Sequence, residues 1–239
     1  MDLYFGQFFA LYWWRLIIAA VAAYLIGSIN TSIIVTKFVM HKDIRTMGSG
    51  NAGFTNVLRC AGKAPAVITF IGDFLKGIIA VGIAYLLMLD VSGDGAAVFR
   101  SYIAYITGLF VVIGHMFPLY YKFKGGKGVV TTAAVMLMTD WRVLIVALII
   151  FLIVFLSTKI ISKCALVNAA MYPVTTLILK ILDYNGILSA ISPLNNPPVS
   201  LIVLATAVTF INAVLVIVKH KDNIKRILDG TEKKITPKN

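Results

Sequence analysis

Apolar residues come along this chain in long blocks, separated by polar, glycine-rich stretches. The blocks cover Leu16–Val39, Ala64–Leu89, Tyr102–Tyr121, Val129–Thr139, Val143–Ser157, Cys164–Leu182 and Val199–Val218. A straight helix needs roughly 20 residues to cross a bilayer. Five blocks reach or approach that length. Val129–Thr139 and Val143–Ser157 are short, so one of them reads as a half-helix buried in protein. Seven segments place the two termini on opposite sides. The pattern predicts an all-α integral membrane protein with seven transmembrane helices. It forms one polytopic domain over residues 1–239, of which 219–239 are a cytoplasmic tail. No internal repeat or low-complexity tract interrupts it.

Composition agrees with this reading. Of 239 residues, 59% are hydrophobic and 13% charged, against about half and a quarter in soluble domains. So much apolar surface cannot be hidden inside a small globule, and lipid is its natural solvent. The net charge of +12 lies between the apolar blocks, without the aromatic-interleaved basic patches that stack on bases. Nucleic acid is therefore not an expected partner. Seventeen of the 22 Lys and Arg fall in one set of connections and in the tail, from Lys37 through Lys238. Only Arg15, Arg100, Arg142 and Lys180 fall on the other side, with Asp2, Asp90, Asp94, Asp140 and Asp183. The positive-inside rule makes the richer side cytoplasmic, with the N-terminus outside and the C-terminus inside. The apolar run through "AAVAAY" continues past signal-peptide length and lacks a basic flank, so it reads as a retained helix. Cys60 and Cys164 are far apart and have no metal-ligand or disulfide spacing.

The chemistry sits in the gaps. "MGSGNAGFTNVLR" contains a G-x-G-x-x-G at Gly48, Gly50 and Gly53. A dinucleotide fingerprint needs a preceding strand and an acidic residue about 20 positions on, outside an apolar block. Asp73 lies inside the next block, so that reading fails. What remains is the physics of glycine, which lets backbone N–H groups approach an anion. Ser49, Asn51, Thr55 and Asn56 add neutral donors, and Arg59 adds a guanidinium fork suited to phosphate. The next loop on that side carries "KGGKG": Lys124, Gly125, Gly126, Lys127 and Gly128. It directly precedes the block at Val129, whose helix N-terminus would point at the loop. No Walker A spacing can be aligned, since Gly128 follows Lys127. The third element is "HKDNIKRILDGTE", a short helix in which His220 and Asn223 share neighbouring rows, with Arg226 following. Taken alone it reads as an amphipathic helix on anionic lipid, and its convergence with the two loops on one side favours a phosphate role.

Other polar features read as structural. Asp73 and Lys76 in "GDFLKG" form an i, i+3 pair inside a block, where a lone charge costs about 2.5–3.5 kcal/mol. A mutual ion pair facing the bundle interior answers that cost. "GSINTS" (Gly27–Ser32) either packs small faces together or lines a cavity. His41 and His115 have no second ligand at metal spacing and read as capping or internally satisfied residues, so no metal and no cofactor is expected.

Together, "GSGNAGFTNVLR" with "GDFLKG", "GHMFPLYYKFKGGKGV" and "HKDNIKRILDGTE" resemble the PlsY-type glycerol-3-phosphate acyltransferases of bacteria, in family order and spacing. The departures are extra residues before Leu16, a longer loop before Tyr102, and Val130 in place of alanine. The resemblance implies transfer of an acyl group from acyl phosphate to the 1-hydroxyl of glycerol 3-phosphate, releasing lysophosphatidic acid and inorganic phosphate. It implies active-site roles for Ser49, Asn56, Arg59, Lys127 with its flanking glycines, His220, Asn223 and Arg226, and a structural role for Glu232. Expected partners are the two substrates, the bilayer and the enzyme that supplies acyl phosphate. The H-x-x-x-x-D pattern of other acyltransferases is excluded, because Thr46, Tyr120 and Lys225 stand five residues after the three histidines. A transporter or flippase for phosphorylated metabolites or lipids is the competing class, but such proteins usually show repeats and a midplane site.

Overall fold

The computed structural model describes residues 3–234, and Asp2, Lys238 and the rest of the tail beyond residue 234 lie outside them. The described residues form ten α-helices and two short 3-10 turns, with no strand among them. The helices are α1 (Leu3–Ser28), α2 (Thr31–Met40), α3 (Phe54–Ala61), α4 (Lys63–Leu86), α5 (Ala96–Met116), α6 (Val129–Thr139), α7 (Trp141–Thr158), α8 (Ile161–Tyr184), α9 (Val199–Lys219) and α10 (Lys221–Leu228).

Six segments are long and apolar enough to cross a membrane: α1 with α2, α4, α5 with the turn after it, α7, α8 and α9. The eleven-residue α6 spans only about 16 Å. It is the short element that the spacing suggested, enclosed by α4, α5 and α7. Large side chains such as Leu148, Ile149, Leu152 and Ile153 stand more than half exposed on α7. Surface of that kind belongs against acyl chains.

The first span begins earlier than Leu16 and is broken. Helix runs from Leu3, where Phe5, Phe8 and Tyr12 pack with Phe99 and Tyr102 of α5. It stops at Ser28, and Asn30 then caps α2 by accepting from the Ile33 N–H at 3.1 Å. "GSINTS" thus does two jobs. Gly27 crosses Gly114 of α5 so closely that a Cβ on either would strike the other helix's backbone. The break beyond it frees the Ile29 carbonyl for Lys76.

Two buried ionic clusters hold the bundle. Within α4, Lys76 Nζ donates to Asp73 Oδ1 at 2.9 Å, as expected from the sequence. His115 of α5 joins this pair, its Nδ1 2.7 Å from Lys76 Nζ. The second cluster corrects the sequence reading of four separate loop charges. Arg142 binds Asp140 and Asp183 bidentately at 2.7–2.9 Å, and Lys180 donates to Asp140 Oδ2 at 3.0 Å. None of the four is more than 4% exposed. Charges that would be costly alone in hydrocarbon form a neutral tetrad, which ties the α6–α7 turn to the end of α8. Arg15, with Asp90, and Arg100, on the Met88 and Val91 carbonyls, mark the same end of the bundle.

Removing one member of such a tetrad strands its partners. Asp183→Leu is expected to destabilise the fold by about 3–5 kcal/mol, read as a marked fall in melting temperature in detergent. An unchanged melting temperature would show that the tetrad contributes no stability.

Candidate active site

The three polar segments meet at the end of the bundle opposite the tetrad. The first loop, between α2 and α3, is organised by Asn56. This residue is 1% exposed; its Nδ2 donates to the Ile44, Met47 and Asn51 carbonyls, and its Oδ1 accepts from the Ser49 N–H at 2.9 Å. Asn56 therefore builds the loop and presents no free donor, where the sequence suggested a direct phosphate ligand. Gly48 has φ +58° with Asn56 and Cys60 directly where a Cβ would sit, and Gly50 has φ +71°. This tight fold leaves Ser49 exposed at the loop crest, with Asn51 and Thr55 half-buried beside it. Arg59 projects from α3 and is exposed.

The second loop folds back over the end of α5. The Gly125 and Gly126 N–H groups donate to the Met116 and His115 carbonyls at 3.3 and 3.1 Å. These two amides satisfy the helix end and are not available to an anion, contrary to the sequence expectation. Their lack of a Cβ serves close packing, since one on Gly126 would collide with the His115 ring and the Ala52 carbonyl. The amides left without a backbone partner come next. Gly128 turns the chain at φ +80° and starts α6 without a side-chain cap. The N–H groups of Lys127, Gly128, Val129, Val130 and Thr131 have no acceptor among the described residues. Adjacent unpaired donors at a helix N-terminus are a geometry able to accept an anion. Lys124 is exposed, and its carbonyl receives Arg45, which also holds the Tyr121 carbonyl and so joins loop one to loop two.

The third segment closes the site. Lys127 Nζ donates to Asn223 Oδ1, and Asn223 Nδ2 donates to Glu232 Oε1 at 2.7 Å. Glu232 also accepts from Ser162 of α8 at 2.7 Å and from Arg226 at 2.6 Å. These bonds join α10 to the start of α8, and Ser162 is a partner that no local pattern announced. Although burial works against ionisation, the bonds from Ser162, Arg226 and Asn223 hold the Glu232 carboxyl below its usual range. Burial, then the positive charges of Arg226 and Arg59, lower Lys127 to about 8. His220 lies at the junction of α9 and α10 and is 3% exposed. Its Nδ1 is 2.8 Å from the Val216 carbonyl. A carbonyl can only accept, so Nδ1 carries the proton and Nε2 offers the lone pair. Burial pushes His220 down to about 4, which leaves the ring neutral at physiological pH.

Beneath the α6 N-terminus lies a cavity of about 90 Å³ between α6, α7, α8 and α9. Val129 and Thr132 line its upper part, Met136 and Tyr172 its depth, and Ala147 and Phe151 its α7 wall. A cationic, amide-lined pocket thus adjoins an apolar one. Such a pair suits an anionic headgroup on a fatty chain. His41 is the C-cap of α2 through its backbone N–H, with the residue exposed, and His115 is internally satisfied within the α4 cluster.

Comparison with known proteins supplies the family. The family model described as Glycerol-3-phosphate acyltransferase matches residues 17–230. A glycerol-3-phosphate acyltransferase of Clostridioides difficile is 39% identical over 222 residues, 93% of this chain and 96% of the relative. One from Coxiella burnetii is 37% identical over 219 residues, 92% of this chain and 97% of the relative. Crystal structures of PlsY (YgiH), an integral membrane glycerol 3-phosphate acyltransferase, superpose with TM-scores of 0.74 in the glycerol 3-phosphate form and 0.72 in the lysophosphatidic acid form. Both are 28% identical and match 92% of this chain, covering 96% and 95% of their own length.

Glu232 carries a testable consequence. Glu232→Ala removes the acceptor shared by Ser162, Asn223 and Arg226. Hydrogen exchange in α10 is expected to quicken by about tenfold or more, the loss of bonds to a charged group, while exchange in α4 and α5 stays slow. Unaltered exchange in α10 would mean that Glu232 does not hold it.

Proposed function

We propose a chemical role from one premise: the chain belongs to the glycerol-3-phosphate acyltransferase family. It is a multi-pass membrane acyltransferase, and the relatives named above are bacterial. The reading is transfer of a fatty acyl group from acyl phosphate to the 1-hydroxyl of glycerol 3-phosphate. The products are lysophosphatidic acid and inorganic phosphate, in the first acylation step of phospholipid synthesis. The observation that carries it is the contact of Lys127 with Asn223 beside five unbonded amides, directly above the apolar cavity.

In this reading the free amides of 127–131, Lys127, Arg59 and Arg226 hold the two phosphates, and the acyl chain enters the cavity between α6 and α9. Ser49 and His220 Nε2 orient the attacking hydroxyl. Its oxygen bonds to the acyl carbon while the bond from that carbon to the phosphate oxygen breaks, releasing inorganic phosphate. Acyl phosphate is already activated, so no covalent enzyme intermediate is needed; positioning and charge neutralisation supply the rate. Burial disfavours the charged His220 ring, whereas a phosphate ester takes up its second proton near 6. This reading gives the hydroxyl proton to a substrate phosphate oxygen and has His220 Nε2 hold the hydroxyl. Counting the short α6 as a seventh crossing, the charge asymmetry puts the N-terminus outside and the site toward the cytoplasm in this reading. Acyl phosphate reaches the site from the enzyme that makes it.

Purified protein in detergent, given palmitoyl phosphate and glycerol 3-phosphate, is expected to release inorganic phosphate and form a new ester; a transporter would form none. Lys127→Ala is expected to lower kcat/KM by on the order of 10²–10³-fold with the fold retained. Lys127 is charged below its value of about 8 and loses that charge as pH rises through it. Wild-type kcat/KM is therefore expected to decline above about pH 8, and Lys127→Arg to remove that decline. His220→Gln is expected to lose less than about 10²-fold, since a general base contributes at least that much. A larger loss would make His220 the proton acceptor.

A further inference from the structure

The buried cluster on α4 does more than neutralise itself. Lys76 Nζ reaches three groups: Asp73 Oδ1 at 2.9 Å, the Ile29 carbonyl at 3.1 Å, and His115 Nδ1 at 2.7 Å. Lysine only donates, so His115 Nδ1 is the acceptor and its Nε2 carries the proton. That far side of the ring lies against Gly126, where a Cβ would meet both His115 Nε2 and the Ala52 carbonyl of the first loop. The His115 carbonyl receives the Gly126 N–H at 3.1 Å. Thr131, in the first turn of α6, donates its hydroxyl to the Asp73 carbonyl at 3.1 Å. One cluster thus touches the α1–α2 break, the second glycine loop and the start of α6, and that second loop in turn lies against the Ala52 carbonyl of the first. Asp73, Lys76 and His115 are at most 5% exposed, and the proposed acyl transfer uses none of them.

We infer that Lys76 and His115 are positioning residues that set the height and angle of the 127–131 amides, and so the affinity of the site for phosphate. The inference rests on the proposed acyl transfer only for the identity of the ligands. The mechanism is mechanical. The loop cannot back away from His115, because it is hydrogen-bonded to the His115 carbonyl. The ring cannot rotate without giving up Lys76, and Lys76 cannot move without releasing Ile29 and Asp73. Thr131 fixes the other end of the amide row to the same cluster.

The test uses the full chain in detergent and measures affinity for glycerol 3-phosphate and for inorganic phosphate by titration, which requires no turnover. His115→Leu is expected to weaken both by about tenfold or more, as for a lost bond to a charged group, with cooperative unfolding retained. His115→Asn, whose amide oxygen can accept from Lys76 in place of Nδ1, is expected to recover most of the loss. Thr131→Val keeps the backbone N–H and volume, and is expected to weaken phosphate several-fold even where His115→Leu does not fold. Unchanged phosphate affinity in Thr131→Val, or an Asn variant no better than the Leu variant, would overturn the inference. Failure of the wild type to form ester would instead sink the acyl-transfer reading, while the titrations still report on His115.

Discussion

A charge placed in hydrocarbon has to find its partner inside the protein, and this constraint sorts the polar residues of the chain. At one end, Asp140, Arg142, Lys180 and Asp183 close on themselves. Midway toward the other, Asp73 and Lys76 do the same with His115. What is left with spare hydrogen-bonding capacity is concentrated at the second end, where Lys127, Arg59, Arg226 and the first amides of α6 stand together. The site is positively charged because its cations outnumber the acids able to answer them. Glu232 is hydrogen-bonded to Asn223 and Arg226 and holds both in place, and Asp222 of α10 is a second acid acting on Lys127.

The division between glycines that bind and glycines that pack changes the picture of the loops. "KGGKG" reads as a phosphate loop throughout, yet Gly125 and Gly126 serve α5, and only the amides from Lys127 to Thr131 are left without a partner among the described residues. Asn56 shows the same division in the first loop. Its side chain is used up in shaping the turn that displays Ser49. His220 likewise spends its Nδ1 on the Val216 carbonyl, so part of the polar chemistry of the motifs goes into shaping the backbone. That is how a short loop holds a fixed shape at a membrane edge, where water competes for every exposed donor.

Much of this is legible in the residues. The apolar blocks locate the spans, and α6 begins and ends where expected because Gly128 and Asp140 interrupt an otherwise continuous run. The three motifs identify the cations and the histidine that converge. The tertiary partners are not visible, because nothing local encodes them. Ser162 has no pattern linking it to Glu232, and His115 has none linking it to Lys76. "DWR" and "KILD" hint at local pairs, but the bridge from Arg142 to Asp183 needs the fold. The early start of the first helix is hidden because its aromatic residues fall before the block that composition picks out. Asn30 is hidden because a polar residue inside an apolar block fits a break and a packed face equally well.

The central claim is that the α6 amides, Lys127 and Asn223 grip phosphate together. The most direct measurement is an experimental structure of the protein in lipid with glycerol 3-phosphate bound. The account predicts phosphate oxygens within hydrogen-bonding distance of the 128–131 amides and of Lys127 Nζ, with the 1-hydroxyl toward His220 Nε2. A phosphate seated elsewhere, with those amides still unoccupied, would contradict it.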